Sequence, residues 1–212
     1  MNFKHLRYEK RLWEKGAQYV AGVDEAGRGP LAGPVVAAAV IMPHHHMIEE
    51  VNDSKVLSPE QRDELYKQIE KVAISFGIGV VDHVDIDRLN ILNASFKAMH
   101  EAIARLSPQP HHVLIDGNRF DGGGPGLPWI PYTLIVDGDA RSFSIAAASI
   151  MAKVTRDRIM VEYDNRFPGY GFARHKGYCT AEHREAIFRL GYCDIHRRSF
   201  SMKQQLELQF QE

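Results

Sequence analysis

The sequence is poor in cysteine, carries almost no net charge and contains no long apolar run. Its 212 residues include two cysteines, Cys179 and Cys193, and the formal net charge is -1. Two cysteines cannot build a disulfide framework, so we expect reduced thiols in a cytoplasmic protein. No run approaches the roughly 18 apolar residues of a membrane helix, and the charged N-terminus lacks the apolar core of a secretory signal. The length fits one globular domain, with or without a small helical appendix.

The near-zero net charge counts mildly against a nucleic-acid partner, because phosphate contacts come from Lys and Arg. The positive and negative charges are nevertheless distributed unevenly along the sequence. Residues 153–198 contain ten Lys or Arg side chains and six Asp or Glu side chains. This local excess of positive charge permits phosphate binding. On charge alone, however, a mixed and solvated helical surface is the better interpretation.

Alternating apolar runs and helical patterns predict an α/β fold with a mixed five-stranded sheet flanked by helices and a helical C-terminal extension. Ser58 and Pro59 give a clear helix start, with a capping side chain followed by proline at the first helical position. We expect the first strands to be antiparallel and the later ones parallel. The predicted strands cover residues 19–26, 34–42, 73–81, 112–116 and 132–136. The predicted helices cover residues 3–16, 58–72, 85–106, 144–167 and 180–190.

Acidic side chains follow three of the predicted strands. Asp24 and Glu25 end the run YVAGVDE, Asp116 ends HVLID, and Asp139 follows YTLIV after Asp137 and a glycine. If these strands are neighbours, the acids converge, repel one another and raise one another's pKa values. Mg²⁺ or Mn²⁺ would relieve that repulsion. Taken singly, each of these acids is better interpreted as an ordinary loop residue. The hypothesis of a metal site therefore depends on the acids lying close together in the fold. Asp24 and Glu25 can share a site only where the strand is ending, because successive side chains on a strand alternate in direction.

The stretch GVDEAGRGPLAGPV, from Gly22 to Val35, resembles the opening motif of bacterial ribonuclease HII, a type 2 ribonuclease H family. Five further motifs occur in the order that this family has them, from about residue 17 to residue 200. They are Asp53-Ser54-Lys55, Ile115-Asp116-Gly117-Asn118, the segment from Ala147 to Val154, His175-Lys176-Gly177-Tyr178 and His196-Arg197-Arg198-Ser199-Phe200. Six motifs in order make a specific match.

The resemblance implies a ribonuclease H-like fold and cleavage on the 5′ side of a ribonucleotide, in RNA–DNA hybrids and in duplex DNA that carries a single ribonucleotide. It implies two-metal-ion hydrolysis with Mn²⁺ or Mg²⁺, leaving 3′-OH and 5′-phosphate ends. The implied catalytic and metal-binding residues are Asp24, Glu25, Asp116 and Asp139. The implied substrate-binding residues are Gly27, Arg28, Gly29, Ser54, Lys55 and Tyr178. Glycines allow a close approach to the 2′-OH that distinguishes RNA from DNA, and Arg28 could hold a phosphate through two parallel hydrogen bonds.

The sequence departs from the family pattern before the fourth acid, where Asp137-Gly138 stands in place of the usual Lys-Gly. Asp137 therefore competes with Asp139 for the role of metal ligand, and we prefer Asp139. Cys179 also stands where a glycine is usual. Three alternatives remain open: a ribonuclease HIII, another ribonuclease H-fold nuclease such as a resolvase, and a non-catalytic hybrid-binding module. Ribonuclease HIII carries a separate N-terminal domain, whereas here 23 residues precede Asp24.

The final residues differ in character from the rest of the chain. We expect a single catalytic domain over residues 1–200, with its helical C-terminal part from about residue 160, and a tail over residues 201–212. The segment Gln205-Leu206-Glu207-Leu208-Gln209-Phe210 resembles the short peptide that docks bacterial repair enzymes on the sliding clamp. A helix end that packs its leucines on the domain is an equally good interpretation. No membrane association is expected, and the chain is expected to be a monomer.

Overall fold

A mixed five-stranded sheet organises the chain, in a computed structural model that describes residues 6–44, 47–48, 50–51, 57–122 and 129–202. The strands are β1 (Val20–Ala26), β2 (Val35–Ile41), β3 (Ser75–Val81), β4 (His112–Asp116) and β5 (Tyr132–Ile135). Their order in the sheet is β3-β2-β1-β4-β5. The three strands on one side are antiparallel, whereas β1, β4 and β5 are parallel. This arrangement confirms the predicted mixed sheet.

Helices cover both faces of the sheet. They are α1 (Arg7–Glu14), α2 (Pro59–Val72), α3 (His83–Leu89), α4 (Ile91–Ala104), α5 (Phe143–Arg166), α6 (Phe172–His175) and α7 (Ala181–Leu190). Helix α4 packs on one face against β1, β2 and β3, while α5 packs on the other face against β1, β2 and β4. The helical C-terminal region confirms that part of the predicted fold class. No helix among the described residues is long and apolar enough to cross a membrane.

Helix boundaries agree with the local sequence signals except around residue 90 and at α6, which lies where no helix was predicted. Ser58 accepts a hydrogen bond from the Gln61 backbone and completes a capping box, as the sequence predicts. The single helix predicted over residues 85–106 is wrong. Asp82 caps an earlier helix, and Asn90 breaks the chain with a φ of +68° before its side chain caps α4. With a φ of +68° and a ψ of 164°, Asn90 lies outside the helical region, so one helix cannot continue through it.

Two glycines allow helices to approach the sheet closely. A Cβ atom added at Gly22 in β1 would lie 2.0 Å from the carbonyl carbon of Ser144 in α5, and one added at Gly79 in β3 would lie 1.9 Å from the Ala98 carbonyl oxygen in α4. Contacts under 3.0 Å are not compatible with a side chain. The glycine at position 22 therefore brings the N-terminal end of α5 directly under β1, two residues before Asp24.

The charged N-terminal helix is fixed to α5 by a buried carboxylate. Glu9 is fully buried, and its Oε1 atom accepts hydrogen bonds from the Ser142 hydroxyl at 2.6 Å and the Ser144 backbone N–H at 3.0 Å. Burial raises the pKa of Glu9 above its usual range. The sequence predicted only a charged helix or arm here. Helix α1 instead packs against the turn that leads into α5.

Candidate active site

The acidic residues lie where β1 and β4 separate. The parallel pairing of these strands runs from Val20 and His112 to Val23 and Ile115 and then ends. Asp24 and Asp116 are the next residues on the two strands, so both carboxylates stand at the open end of the pair. Strand β1 continues to Ala26, but only as a partner of β2. The expectation that the strand ends at the acids therefore holds on the β4 side only.

Asp24 is a buried carboxylate among other carboxylates. It is 6% exposed. Burial raises its pKa well above the usual range, and the charges of Glu25 and Asp116 raise it further. A hydrogen bond from the Ser149 side chain and one from the Glu25 backbone N–H, at 2.7 Å to Oδ1, lower the pKa in part. The predicted repulsion between neighbouring acids is thus present for these three residues.

Glu25 projects from the opposite face of β1 and pairs with an arginine. Its Oε1 atom lies 3.1 Å from Nη1 of Arg28, whose side chain is 53% exposed. Burial raises the pKa of Glu25, while the Arg28 charge and hydrogen bond lower it and the Asp116 charge raises it. Glu25, Arg28 and Asp116 line a common cleft of about 290 Å³. The cleft also contains residues of α4 and of the loop after β4: Leu92, Ser95, Phe96, Met99, Gly117, Asn118 and Arg119.

The turn that carries Asp139 is bound to Asp116. The backbone N–H of Gly138 donates to Oδ1 of Asp116 at 2.6 Å. Residues Gly138–Ala140 form a short 3-10 helix, in which Asp139 is buried at 4% exposure and accepts a hydrogen bond from the Ala140 backbone at 3.0 Å. Asp137 is exposed and left-handed, with a φ of +53°. Of the two rival acids, Asp139 is therefore the one that points into the protein.

The acids fit a divalent cation that keeps part of its own hydration. Within the described ranges, no group of three or more His, Cys, Asp or Glu side chains is arranged so that it could hold a metal ion. Mg²⁺ commonly binds through one or two carboxylates and retains waters or substrate oxygens, so it does not require a closed cage. Carboxylates supply the hard oxygen ligands that such an ion prefers. Because these carboxylates are desolvated and raise one another's pKa, a bound cation would relieve their repulsion.

The turn after β1 is shaped by one of its two glycines. Gly27 has a φ of +98°, and a Cβ atom there would lie 2.1 Å from Nε of Arg156. A side chain is excluded at this position both by backbone conformation and by space. Gly29 does not share this positive φ, so of the two glycines only Gly27 is required by its backbone conformation.

Two buried arginines hold this turn. Arg197 belongs to one of the family motifs but had no role assigned to it from sequence, and Arg156 lies outside all of those motifs. Arg156 and Arg197 are each 1% exposed. The guanidinium of Arg197 donates to the carbonyl oxygens of Gly33 at 3.0 Å, Arg28 at 2.9 Å and Gly27 at 2.6 Å. Arg156 donates to the carbonyls of Pro34 and Ala32, at 2.9 and 3.2 Å. Both arginines belong to the basic segment of residues 153–198. Only their tertiary contacts distinguish them from the solvent-exposed Lys and Arg side chains of that segment.

Tyr178 lies beside the same turn. It is 39% exposed, and the Arg156 guanidinium carbon lies 5.9 Å from its ring centroid. The carbonyl of the preceding Gly177 accepts a hydrogen bond from the Leu31 backbone at 2.8 Å. The structure thus brings Gly27, Arg28 and Tyr178 to one region. Ser54 and Lys55 lie outside the described residues, as does the segment from Gln205 to Phe210.

Behind Tyr178 is a buried cluster of three histidines. His183 and His196 are fully buried with their Nε2 atoms 3.1 Å apart, and the rings of His175 and His183 stack at 4.4 Å. Burial lowers the pKa of His183 to about 4 and that of His196 to about 4. It also lowers the pKa of His175. The rings of His183 and His196 are therefore neutral at physiological pH.

Comparison with known proteins identifies the family. The model of the Ribonuclease HII family matches residues 21–203. Ribonuclease HII of Acetivibrio thermocellus is 55% identical over 194 residues, covering 92% of this chain and 74% of that protein. Ribonuclease HII of Ruminiclostridium cellulolyticum is 52% identical over 197 residues, covering 93% of this chain and 75% of that protein. This chain belongs to the ribonuclease HII family. It is therefore an enzyme of the ribonuclease H type, an RNA–DNA hybrid endonuclease.

Solved structures of ribonuclease HII proteins share the fold. The ribonuclease H2 of Pyrococcus horikoshii has a TM-score of 0.74 and 26% identity, covering 92% of this chain and 99% of that chain. The ribonuclease HII of Archaeoglobus fulgidus, solved as a complex with PCNA, has a TM-score of 0.73 and 24% identity, covering 86% of this chain and 95% of that chain. The ribonuclease H-like fold implied by the sequence motifs is thereby confirmed.

Replacing Asp24 by Asn is predicted to stabilise the metal-free protein. A carboxyl whose pKa is raised in the folded state loses folding free energy when it ionises, and the amide removes that cost. The amide oxygen can still accept the Glu25 backbone hydrogen bond. We expect the thermal midpoint in EDTA near pH 7.5 to rise by about 2–4 °C, which corresponds to about 1 kcal/mol for a protein of this size. Differential scanning calorimetry measures it.

The exposed Asp194 provides the matched control, because Asp194→Asn makes the same chemical change away from the cleft. Its thermal midpoint should stay within about 1 °C of wild type, as expected for a surface substitution. Added Mn²⁺ or Mg²⁺ should raise the midpoint of wild type more than that of Asp24→Asn. A lower midpoint for Asp24→Asn in EDTA would contradict the proposed repulsion.

The buried histidines are predicted to make the fold sensitive to acid. Because the folded pKa values of His183 and His196 are about 4 and the unfolded value is about 6.5, their neutral forms support the fold above pH 6.5. This support is lost as the pH falls from about 6.5 toward 4, by at most on the order of 3 kcal/mol for each ring. Urea unfolding at a series of pH values in EDTA measures the loss.

The acidic residues act in the opposite direction over part of this range, since raised carboxyl pKa values favour the fold as the pH falls. The informative quantity is therefore a difference between two proteins. His183→Asn removes one titrating ring and leaves the acids in place, so its stability should fall less steeply than that of wild type between pH 6.5 and 4. If the stability of His183→Asn and of wild type fell equally steeply with pH, the low pKa of buried His183 would be contradicted.

Proposed function

We propose that the chain hydrolyses the phosphodiester on the 5′ side of a ribonucleotide, in RNA–DNA hybrids and at single ribonucleotides embedded in duplex DNA. The observation that carries this proposal is the meeting of Asp24, Glu25 and Asp116 at the open end of the β1–β4 pair, beside the turn at Gly27. Such an activity removes ribonucleotides during DNA replication and repair. The two free cysteines are compatible with a reducing compartment such as the cytoplasm.

In this proposal Asp24, Glu25, Asp116 and Asp139 hold Mn²⁺ or Mg²⁺. When bound, two such ions supply an activated water and stabilise the leaving oxygen of a phosphodiester, which yields 3′-OH and 5′-phosphate ends. The raised pKa values of Asp24 and Glu25 favour this assignment, because a cation would restore their ionised forms. The bond from Gly138 to Asp116 orients that carboxylate, and the inward position of Asp139 favours it over Asp137.

Recognition of the ribose is assigned to the turn at Gly27–Gly29 and to Tyr178. The open backbone of Gly27 lets main-chain groups approach a 2′-OH without a side chain in between. Tyr178 offers a partly exposed ring that can lie against a sugar or base. Arg28 is salt-bridged to Glu25 in the free protein, so we propose that it exchanges this partner for a substrate phosphate. Ser54 and Lys55 are further proposed phosphate contacts.

We also propose that the tail from Gln205 to Phe210 docks on a sliding clamp. Leu206, Leu208 and Phe210 supply the apolar side chains that such a peptide would place in a pocket. An archaeal ribonuclease HII solved in complex with PCNA makes a replication partner plausible for this family. The proposal rests on the sequence of the tail.

Cleavage of a labelled duplex with one embedded ribonucleotide tests the catalytic proposal. Wild type is expected to cut on the 5′ side of the ribonucleotide with Mg²⁺ or Mn²⁺. Asp116→Asn and Asp139→Asn should each lose more than about 100-fold in rate, because losing a ligand costs more than the roughly 10–100-fold that loss of a residue supporting a ligand costs. Gel analysis of the product ends measures position and chemistry.

Asp137→Asn is the matched control for Asp139→Asn. It removes the exposed charge two residues away, and asparagine also tolerates the left-handed conformation of that position, so activity should be retained. Loss of activity in Asp137→Asn with retention in Asp139→Asn would reverse the assignment of the fourth acid. Cutting of all-DNA junctions, or no cutting by wild type with either metal, would favour the resolvase or the hybrid-binding alternative.

Deletion of residues 205–212 is expected to abolish clamp binding and leave nuclease activity intact. The reason is that the apolar side chains of the tail are the proposed contacts, while the acids lie elsewhere. Surface plasmon resonance with the bacterial sliding clamp measures binding, and the ribonucleotide duplex measures activity. Equal clamp binding without the tail would refute this role, and a loss of nuclease activity would instead indicate that the tail packs on the domain.

A further inference from the structure

One short segment near the C-terminus contacts one part of the proposed ribose-recognition region directly and reaches the other part through His183. The backbone of residues 195–197 pairs with residues 31–33, through Gly33 to Ile195 at 2.9 Å and Arg197 to Leu31 at 2.9 Å. The Arg197 side chain binds the carbonyls of Gly27 and Arg28. The neighbouring side chain, His196, contacts His183, whose Nδ1 atom lies 2.9 Å from the Tyr178 carbonyl oxygen. The segment is therefore bonded directly to the turn and is linked to the tyrosine through His183.

The hydrogen bonds of His183 and His196 define a directed chain. The carbonyl of Tyr178 can only accept, so the Nδ1 atom of His183, 2.9 Å away, carries a proton and donates it. A neutral His183 then accepts at Nε2, which requires His196 to donate from Nε2 across 3.1 Å. The Nδ1 atom of His196 is left as an acceptor for the Cys193 backbone N–H at 3.0 Å. Every ring nitrogen in the chain has a partner.

The two histidines that form this hydrogen-bond chain between Cys193 and the Tyr178 carbonyl are shielded from solvent. His183 and His196 are both fully buried, and the chain includes no carboxylate or cationic side chain. The Tyr178 carbonyl also accepts from the Thr180 backbone at 2.8 Å. Two donors on one carbonyl fix the peptide plane that follows Tyr178, while its ring stays partly exposed. The pair of histidines thus connects the segment that holds Gly27 to the main chain of Tyr178.

We propose that His183 and His196 are positioning residues for ribonucleotide recognition: their hydrogen-bond chain sets the main chain of Tyr178 relative to the turn at Gly27–Gly29. This role rests on the proposed function, since Tyr178 matters only if the substrate contains a ribonucleotide. It differs from a packing role in one respect. A packing residue needs ring volume, whereas the chain needs a donor at one ring position and an acceptor at the other.

Two substitutions of His183 separate these requirements. Asn places an amide near the Nδ1 position and can still donate to the Tyr178 carbonyl. Gln reaches the Nε2 position, so it can still accept from His196 but loses the bond to Tyr178. We expect kcat/KM on the single-ribonucleotide duplex to fall about tenfold for His183→Gln, because small displacements of positioning groups have effects of this order. His183→Asn should retain more activity than His183→Gln.

A double-mutant cycle with Tyr178→Ala tests whether His183 acts through the tyrosine. If it does, His183→Gln should lower kcat/KM little further once Tyr178 is replaced, so that the double variant resembles Tyr178→Ala alone. Multiplicative losses in the double variant would overturn the proposal while leaving the proposed function intact. Absence of cleavage by wild type would overturn the proposed function and this role together.

The tautomers provide a test that needs neither activity nor a variant that folds. In the ¹⁵N-labelled wild-type protein near pH 7, NMR of the imidazole nitrogens should show His183 protonated at Nδ1 and His196 protonated at Nε2. Their line positions should stay unchanged down to about pH 5.5. The opposite tautomer at either ring would break the chain as drawn and overturn the proposal.

Discussion

The conformation of the turn proposed to recognise the ribose depends on two buried arginines whose guanidiniums bind carbonyl oxygens. Burial lowers the pKa of Arg197 to about 9 and also lowers that of Arg156, so the desolvation of these groups is substantial. Hydrogen bonds from both guanidiniums go to main-chain oxygens of residues 27–34. Because each bond requires one orientation of a peptide group, the turn has little freedom left. A turn fixed in this way presents its backbone to a ligand without first paying an ordering entropy.

The proposed catalytic side of the site is negatively charged, and its acidic side chains repel one another. Asp24 is buried where β1 and β4 separate, and the charges of Glu25 and Asp116 raise its pKa, while hydrogen bonds from Ser149 and the Glu25 backbone lower it only in part. The fold therefore holds negative charge in excess where a cation is expected to bind. If Asp24 binds a metal as proposed, stability and activity conflict at this position, as is common where a site needs charge that the core does not tolerate. Glu25 differs because Arg28 stands beside it.

Local signals predicted the framework well and the interior of the site poorly. Ser58 and the five apolar runs fixed element positions to within one or two residues, since capping and alternation act within a few residues. The acids could be proposed from strand ends, but their meeting required the pairing of β1 with β4, which comes from distant parts of the chain. Glu9 and Arg156 show the limit more clearly. Their partners lie 133 and 122 positions away along the chain, and nothing in their own surroundings marks them as buried.

The C-terminal part of the chain holds other parts of the fold in place. The sequence predicts only a helical extension of a catalytic domain there. In the structure, Arg197 closes the turn at Gly27, His196 leads to Tyr178, and the carboxylate of Asp87 in α3 accepts hydrogen bonds from the Arg198 and Ser199 backbones at 2.8 and 2.9 Å. Residues 193–199 thus connect the segment between β1 and β2, His183 and α3. The bonds from Arg197 to the carbonyls of Arg28 and Gly27 join positions 169 and 170 residues apart, so the conformation of this turn depends on contacts that its own local sequence does not encode.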